Sequence, residues 1–316
     1  MQAAAARDDD ARLRRRTWIA AAVLVALVAV FAAYYYYDRY ATPAGVAQTP
    51  DPIEQLEQKV REKPGDPELR LALAENYLLN RRYEDAIKTA EAVLKASPKQ
   101  DRALLITGVA YSLNDQAEQA LAPLATFIKI HEKAQSAALD TSLEAALYYQ
   151  AQDFIKLGRA KDAVKPLEQA VGISPTDADA LYLLGTALAA TGRHKEAIPA
   201  FERAVALVPD FRESYEAMAK SYDASGQKVL GDYARAMVDF AAKDYGTARD
   251  QLLAVVAKKK DFTPAYLGLG LAYEQLGDLK KAKENLKIAI KQAPTSVAIQ
   301  QAFGRVQATI QQEGGQ

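Results

Sequence analysis

Apolar and small residues recur at helical spacing along Thr263–Pro294. Tyr266, Leu269, Gly270 and Tyr273 fall on one helix face; after the polar turn Gly277-Asp278, Ala282, Leu286 and Ala289 fall on a second, and Pro294 closes the stretch. The same layout occurs at Ala178–Pro209, where Leu181, Leu184, Gly185 and Leu188 precede Ala197, Phe201, Ala204 and Pro209. Each stretch predicts two helices joined by a tight turn, with a small residue where their backbones come closest.

The pattern extends upstream. Asp66 is a predicted N-cap with Pro67 at the first helical position; Leu73, Ala74 and Tyr77 then lead to Ala86, Ala90, Val93 and Pro98. A second unit has Leu104, Gly108, Tyr111, Ala120, Leu124 and Phe127, and a third has Leu147, Ala151, Phe154, Ala163, Leu167, Ala170 and Pro175. The interval from Ala86 to Ala120, from Ala163 to Ala197 and from Ala248 to Ala282 is the same, 34. Ala120 to Ala163 is 43, so nine residues are inserted around His131–Asp140, and Thr141 with Glu144 reads as a capping box restarting the next helix. Ala197 to Ala248 is 51, one and a half periods. There Phe211–Ala224 reads as a first helix, Gln227–Lys243 as an additional one and Gly246–Lys258 as a second-type helix, with Asp239 where an aromatic is expected.

A 34-residue period of helix, turn and helix with these small positions resembles the tetratricopeptide repeat (TPR) family. The resemblance implies an all-α solenoid of six repeats. It also implies a concave groove, lined by the first helix of each repeat, in which ligand segments lie. Carried over by position, the groove receives Leu71 and Glu75, then Leu105, Val109 and Ser112, then Tyr148, Gln152 and Ile155, and finally Tyr182 and Thr186. Members that clamp a terminal carboxylate place Lys and Asn at the fifth and ninth positions of the first helix. Leu71 and Glu75, then Leu105 and Val109, fill them here, so no such clamp is expected.

The flanks have another character. Residues 1–16 form a tail with five arginines (Arg7, Arg12, Arg14, Arg15 and Arg16), followed by Thr17–Tyr37, a continuous run without a charge. At the helical rise this run spans about 31 Å, close to the thickness of a bilayer's hydrocarbon core, and Trp18 and Tyr34–Tyr37 suit its two interfaces. The expectation is one transmembrane helix in contact with the lipid bilayer, retained rather than cleaved. The arginine excess puts the N-terminus in the cytoplasm and the repeats outside it, in a periplasm or at the cell exterior. Residues 38–52, with Pro43, Pro50 and Pro52, read as a linker. The solenoid is then expected over residues 53–311, with capping helices at Ile53–Glu62 and Ser296–Gln311 and a disordered tail at 312–316.

Composition narrows the function. Forty basic residues balance 40 acidic ones, so no global field draws nucleic acid. There is no cysteine, which excludes disulfides, thiolate metal sites and a cysteine nucleophile. The two histidines, His131 and His194, have no ligand pattern beside them, and no phosphate loop, dinucleotide fingerprint or metalloprotease motif occurs. No catalysis, cofactor, metal or small-molecule substrate is expected. The sequence reads as a membrane-anchored scaffold that binds protein or extended peptide partners. Pro52–Pro98 is also similar to the repeat region of bacterial cytochrome c maturation subunits, which implies holding of apocytochrome. The one-helix arrangement resembles translocon-associated periplasmic proteins too. A regulatory subunit that positions a catalytic partner is a further reading.

Overall fold

The computed structural model describes residues 51–314, in two compact units that divide at Gly65 and Asp66. The expected basic tail, transmembrane helix and nearly all of the linker lie outside the described residues. Among the described residues there is no strand, and no helix is long and apolar enough to cross a membrane. In the first unit, helix α1 (Pro52–Glu62) is started by Asp51, whose carboxylate accepts from Ile53 N at 3.0 Å.

The second unit is helical throughout. Its elements are α2 (Pro67–Leu79), α3 (Tyr83–Ala96), α4 (Asp101–Leu113), α5 (Ala117–His131), α6 (Thr141–Lys156), α7 (Ala160–Ile173) and α8 (Ala178–Ala190). They continue with α9 (His194–Leu207), α10 (Arg212–Ala224), α11 (Lys228–Ala241), α12 (Tyr245–Lys258), α13 (Thr263–Gln275), α14 (Leu279–Gln292) and α15 (Val297–Gly314). Helix α15 runs past the expected end at residue 311.

Local chemistry sets the helix starts. Asp66 caps α2 and Asp177 caps α8, each carboxylate accepting from two backbone N–H groups of the first turn. At α6 the cap is Asp140, which accepts from Ser142 N at 2.9 Å and Leu143 N at 3.1 Å. The expected Thr141–Glu144 capping box is therefore displaced: Thr141 is already helical, and the Glu144 carboxyl bonds to Asp177 instead. The nine extra residues make a loop with one 3₁₀ turn (Ala137–Leu139) between α5 and α6.

Packing within each helix pair follows the small residues. Ala86, Ala120, Ala163, Ala197, Ala248 and Ala282 are all fully buried. Twelve residues before each stands Ala74, Gly108, Ala151, Gly185, Ala236 or Gly270. At all three glycines no side chain fits: a Cβ on Gly108 would lie 2.5 Å from Leu124 Cγ. A Cβ on Gly185 would lie 2.6 Å from the Phe201 ring, and one on Gly270 would lie 2.5 Å from Leu286 Cγ.

Among the described residues, seven have positive φ: Arg81, Asp115, Gly158, Gly192, Gly226, Lys243 and Gly277. Each sits in the tight turn that joins two antiparallel helices, where the left-handed conformation reverses the chain. Other links between paired units lack such a residue. Every helix from α2 to α14 but one has this turn on one side only. Helix α11 has it on both, Gly226 before and Lys243 after.

Helix α11 is therefore not an addition inserted beside a degenerate unit. It is the second helix of one repeat and the first helix of the next. Gly231 lies one full period after Ala197, in the small-residue position of a second helix, and a Cβ there would meet Asp223 Oδ1 at 2.5 Å. Ala236, five residues on, is the fully buried small position of a first helix packed against α12. The interval from Ala197 to Ala248 is one full period plus a half period, and the half period is this shared helix.

The layers change sides as a result. Up to this point first helices pack on one another: α2 on α4, α4 on α6, α6 on α8 and α8 on α10. Beyond it the packed series is α11 on α13 and α13 on α15, whereas α10 and α12 do not pack closely. The apolar core runs through the change unbroken, from Ala151 to Val306 by way of Tyr215, Met218, Tyr233, Met237 and Leu252.

Candidate partner-docking faces

The first helices of the regular repeats present their fifth, ninth and twelfth positions to the same side, and the expected groove residues separate there by exposure. Leu71, Val109 and Ser112 are buried between neighbouring helices. Glu75 is half-buried and holds the Arg102 guanidinium, which also donates to Glu68 Oε2 at 3.0 Å. Leu105, Tyr148, Gln152, Ile155, Tyr182 and Thr186 are half-buried. Thr186 returns its hydroxyl to Tyr182 O at 2.9 Å. Tyr182 leans on Phe211, with ring centroids 5.1 Å apart, and Tyr148 meets Tyr149 edge-on at 5.4 Å. Five of the ten expected residues, Tyr148, Gln152, Ile155, Tyr182 and Thr186, thus make a partly open patch on α6 and α8, which pack directly on each other.

Beneath it, a buried polar cross-link ties α4 to α6. Ser112 Oγ donates to the Asp153 carboxylate, and Lys156 Nζ donates to Ser112 O at 3.2 Å and Asp115 Oδ1 at 3.0 Å. Asp153 is fully buried, and burial pushes its carboxyl up to about 6, against the pull of Ser112 and Lys156. At the edge of the patch, burial and then the Asp177 carboxylate push Glu144 up to about 7. Tyr148 is raised to about 12, by burial first and then by Asp179 and Asp177.

The histidines have structural settings. His131 stacks on Phe127 with centroids 4.0 Å apart, and its Nδ1 lies 2.7 Å from Asp140 Oδ2, tying the end of α5 to the cap of α6. His194 opens α9. Among the described residues no group of three or more His, Asp or Glu is placed to hold a metal.

A site that the sequence reading did not single out lies where the layers change sides. Because α10 and α12 stand apart over α11, a cleft of about 660 Å³ opens between them. Its α10 wall is Glu216, Lys220 and Asp223, the fifth, ninth and twelfth positions of that first helix. The floor carries Asp232, Arg235 and Asp239 from α11, and the far wall Gln251 and Lys258 from α12. Arg235 donates to Asp223 Oδ2 at 2.7 Å and to Asp232 Oδ1 at 2.8 Å; Lys258 Nζ donates to Asp232 Oδ2 at 3.0 Å. Chiefly the Arg235 hydrogen bond, then Lys258, holds the Asp232 carboxyl below its ordinary range. Asp239, at the position where an aromatic was expected, accepts from Gln251 Nε2 at 2.6 Å.

Three segments of the chain match the tetratricopeptide repeat family: residues 53–107, 148–210 and 263–296. These segments are tetratricopeptide repeats. The stretches between the matched TPR segments hold the two irregularities, the nine-residue insertion and the shared helix. No curated protein matches the sequence. Among solved structures, an RS-1 double mutant of MamA is 18% identical, with 56% of this chain and 95% of that chain covered and a TM-score of 0.50. A MamA crystal structure is 22% identical over 61% and 94%, with a TM-score of 0.46. YrrB, described as a TPR protein with an unusual peptide-binding site, is 16% identical over 67% and 96%, with a TM-score of 0.49. The RS-1 likeness supports the helical-repeat fold and says nothing of function.

Proposed function

We propose that this TPR protein is a membrane-anchored scaffold whose first-helix face holds an extended segment of a protein partner outside the cytoplasm. The observation that carries the docking reading is the half-exposed patch of Tyr148, Gln152 and Ile155 on α6 beside Tyr182 and Thr186 on α8. Aromatic rings with polar tips on two rigid, mutually packed helices suit peptide recognition, because little side-chain freedom is lost on binding. Glu75 and Leu105 extend the face toward the first repeats, with Leu71, Val109 and Ser112 supporting it from below. The anchoring reading rests on the uncharged 17–37 stretch and the five arginines before it. TPR segments serve mainly in protein association, and the sequence offers no catalytic constellation.

The test places a photoreactive residue at position 148 or 182 of the full-length protein in cells and identifies the adducts. Discrete adducts with one or a few exported or membrane proteins are expected, and they should disappear in Tyr148→Ala plus Tyr182→Ala while helicity is retained. Diffuse adducts, or partners that still bind the double variant, would overturn the assignment. Topology is read separately: a cysteine introduced at an exposed repeat position should react with an impermeant reagent on intact spheroplasts.

A further inference from the structure

The two tyrosines of the α6–α8 patch do not stand alone. On each helix a carboxylate precedes the tyrosine by about one turn: Glu144 before Tyr148 on α6, and Asp179 before Tyr182 on α8. At these spacings acid and ring share a helix face. Asp177, the cap of α8, joins the two helices. It accepts from Asp179 N at 2.9 Å and Ala180 N at 3.0 Å, and it bonds to the Glu144 carboxyl. All three acids act on the Tyr148 hydroxyl, which is raised by burial first and then by Asp179, Asp177, Tyr149 and Glu144.

No cation answers these acids. Asp179 is exposed, and none of the three makes an ion pair with a basic group among the described residues. Helix α8 has no basic residue at all. On the first helices beside it, Arg102 of α4 is held by Glu75 and Glu68, and Lys156 of α6 pairs with Asp115 at 3.0 Å. Arg212 of α10 pairs with Glu216 at 2.9 Å, and Lys220 stands about two turns further along that helix. From the outer layer, Arg203 of α9 donates to Pro175 O at 3.0 Å, a backbone acceptor. The acidic rim also continues along the face. One period after Asp179 and Tyr182, α10 carries Glu213 and Glu216, and Glu213 is exposed.

Aromatic faces ending in unanswered carboxylates suit a cation. A lysine or arginine can lay its stem or guanidinium on the tyrosine rings and bring its charge to the acids at their edge. An acidic segment would add to the repulsion between Asp177 and Glu144, and a purely apolar one would desolvate the carboxylates without a partner. We propose that the extended partner segment held on α6 and α8 carries a lysine or arginine, its charge seated at Asp177 and Asp179 and its side chain crossing Tyr148 and Tyr182. The inference rests on the docking reading above and deepens it by naming the charge of the segment.

The test uses two fluorescein-labelled peptides of equal length, acetylated and amidated at their ends: alternating Lys-Ser and alternating Ser-Gly. Anisotropy is followed with the full-length protein in non-ionic detergent micelles. Lys-Ser should bind more tightly than Ser-Gly and weaken as salt is raised. It should weaken about tenfold in Asp179→Lys and little in Asp179→Glu. Glu284→Lys makes the same charge change at an exposed position of α14, a second helix, and should leave binding unchanged. Asp179 and Glu284 are both exposed, so every variant should keep its helicity. Lys-Ser binding no tighter than Ser-Gly, indifference to Asp179→Lys, or an equal loss in Glu284→Lys would each overturn the proposal. Discrete adducts at positions 148 and 182 alongside any of those results would remove the basic residue and leave the docking reading standing. Diffuse adducts would remove the docking reading itself.

Discussion

Helices α8 and α9 form a regular repeat, and α10 to α12 form the irregular one, yet both use the same devices. In each, a left-handed turn residue reverses the chain, a glycine or alanine lets two helices close up, and a buried aromatic fills the seam. Tyr111 in α4 and Tyr222 in α10 even make the same bond, each hydroxyl donating at 2.6 Å to a glutamate 20 residues upstream. What differs is the sequence of links. The regular repeat alternates a tight turn with an open loop; the irregular one has two tight turns in succession. That is enough to move the packed series of first helices to the other side without breaking the core, and to leave a charged cleft at the change.

Substitutions at matching positions test how far the two regions are alike. The largest effects should come from the close approaches. Gly185→Ala drives a methyl into the buried Phe201 ring and should cost about 1–3 kcal/mol in chemical denaturation. Ala197→Leu should cost at least as much. Gly304 provides the contrast. It stands one full period after Gly270, in the same repeat position, but among the described residues no helix follows α15 and nothing lies within 4 Å of the Gly304 Cβ direction. Gly304→Ala should stabilise by roughly 0.5–1 kcal/mol. A loss there would mean that α15 is covered by a partner.

Next come the turns that flank α11. Valine at Gly226 (φ 76°) and at Lys243 (φ 66°) should each destabilise by about 1–2 kcal/mol, because a branched Cβ resists the left-handed region. Lys243→Gly should gain up to about 1 kcal/mol. A neutral Lys243→Val would mean that the second tight turn is not an essential joint, and α11 would be an ordinary second helix.

The smallest effect is a loss of stability with rising pH on the regular side. An acid whose folded pKa is raised binds more protons folded than unfolded between the two values, so stability falls as pH rises through that window. For Glu144 the window runs from its ordinary value to about 7. Glu144→Gln should therefore raise the melting temperature at about pH 8 and have little effect at about pH 4. Asp153→Asn should do the same over a window ending at about 6, less the loss of the Ser112 bond. An equal shift at both pH values would show that the substitutions act through packing alone.

The helices and their small-residue seams could be read in the sequence because helical period and backbone approach are local properties. The face that recurs from one first helix to the next could be counted off as well. Whether a neighbour covers that face was not. Leu71, Val109 and Ser112 occupy the same repeat positions as Tyr148, Gln152 and Ile155, yet the former are closed over by the adjacent repeats. The expected N-terminal box at Thr141 failed for a related reason: Asp140, one residue earlier, supplies the better acceptor geometry. The shared helix left a signal that apolar spacing did not carry. Gly226 and Lys243 are half a period apart where every other pair of successive turns is a full period apart or more, but a lysine does not announce a left-handed turn.

The change of sides at α11 is tested most directly by spin-label distances, which the absence of native cysteine makes clean. Labels would be placed on three residue pairs, each one full period apart: Ala190 with Ala224, Ala224 with Lys258, and Ala241 with Gln275. These sample α8–α10, α10–α12 and α11–α13 at equivalent helix positions. The first and third distances should be short and similar, and the second clearly longer. A short Ala224–Lys258 distance together with a long Ala241–Gln275 distance would mean that the first helices continue on one side, and the shared helix and its cleft would both be wrong.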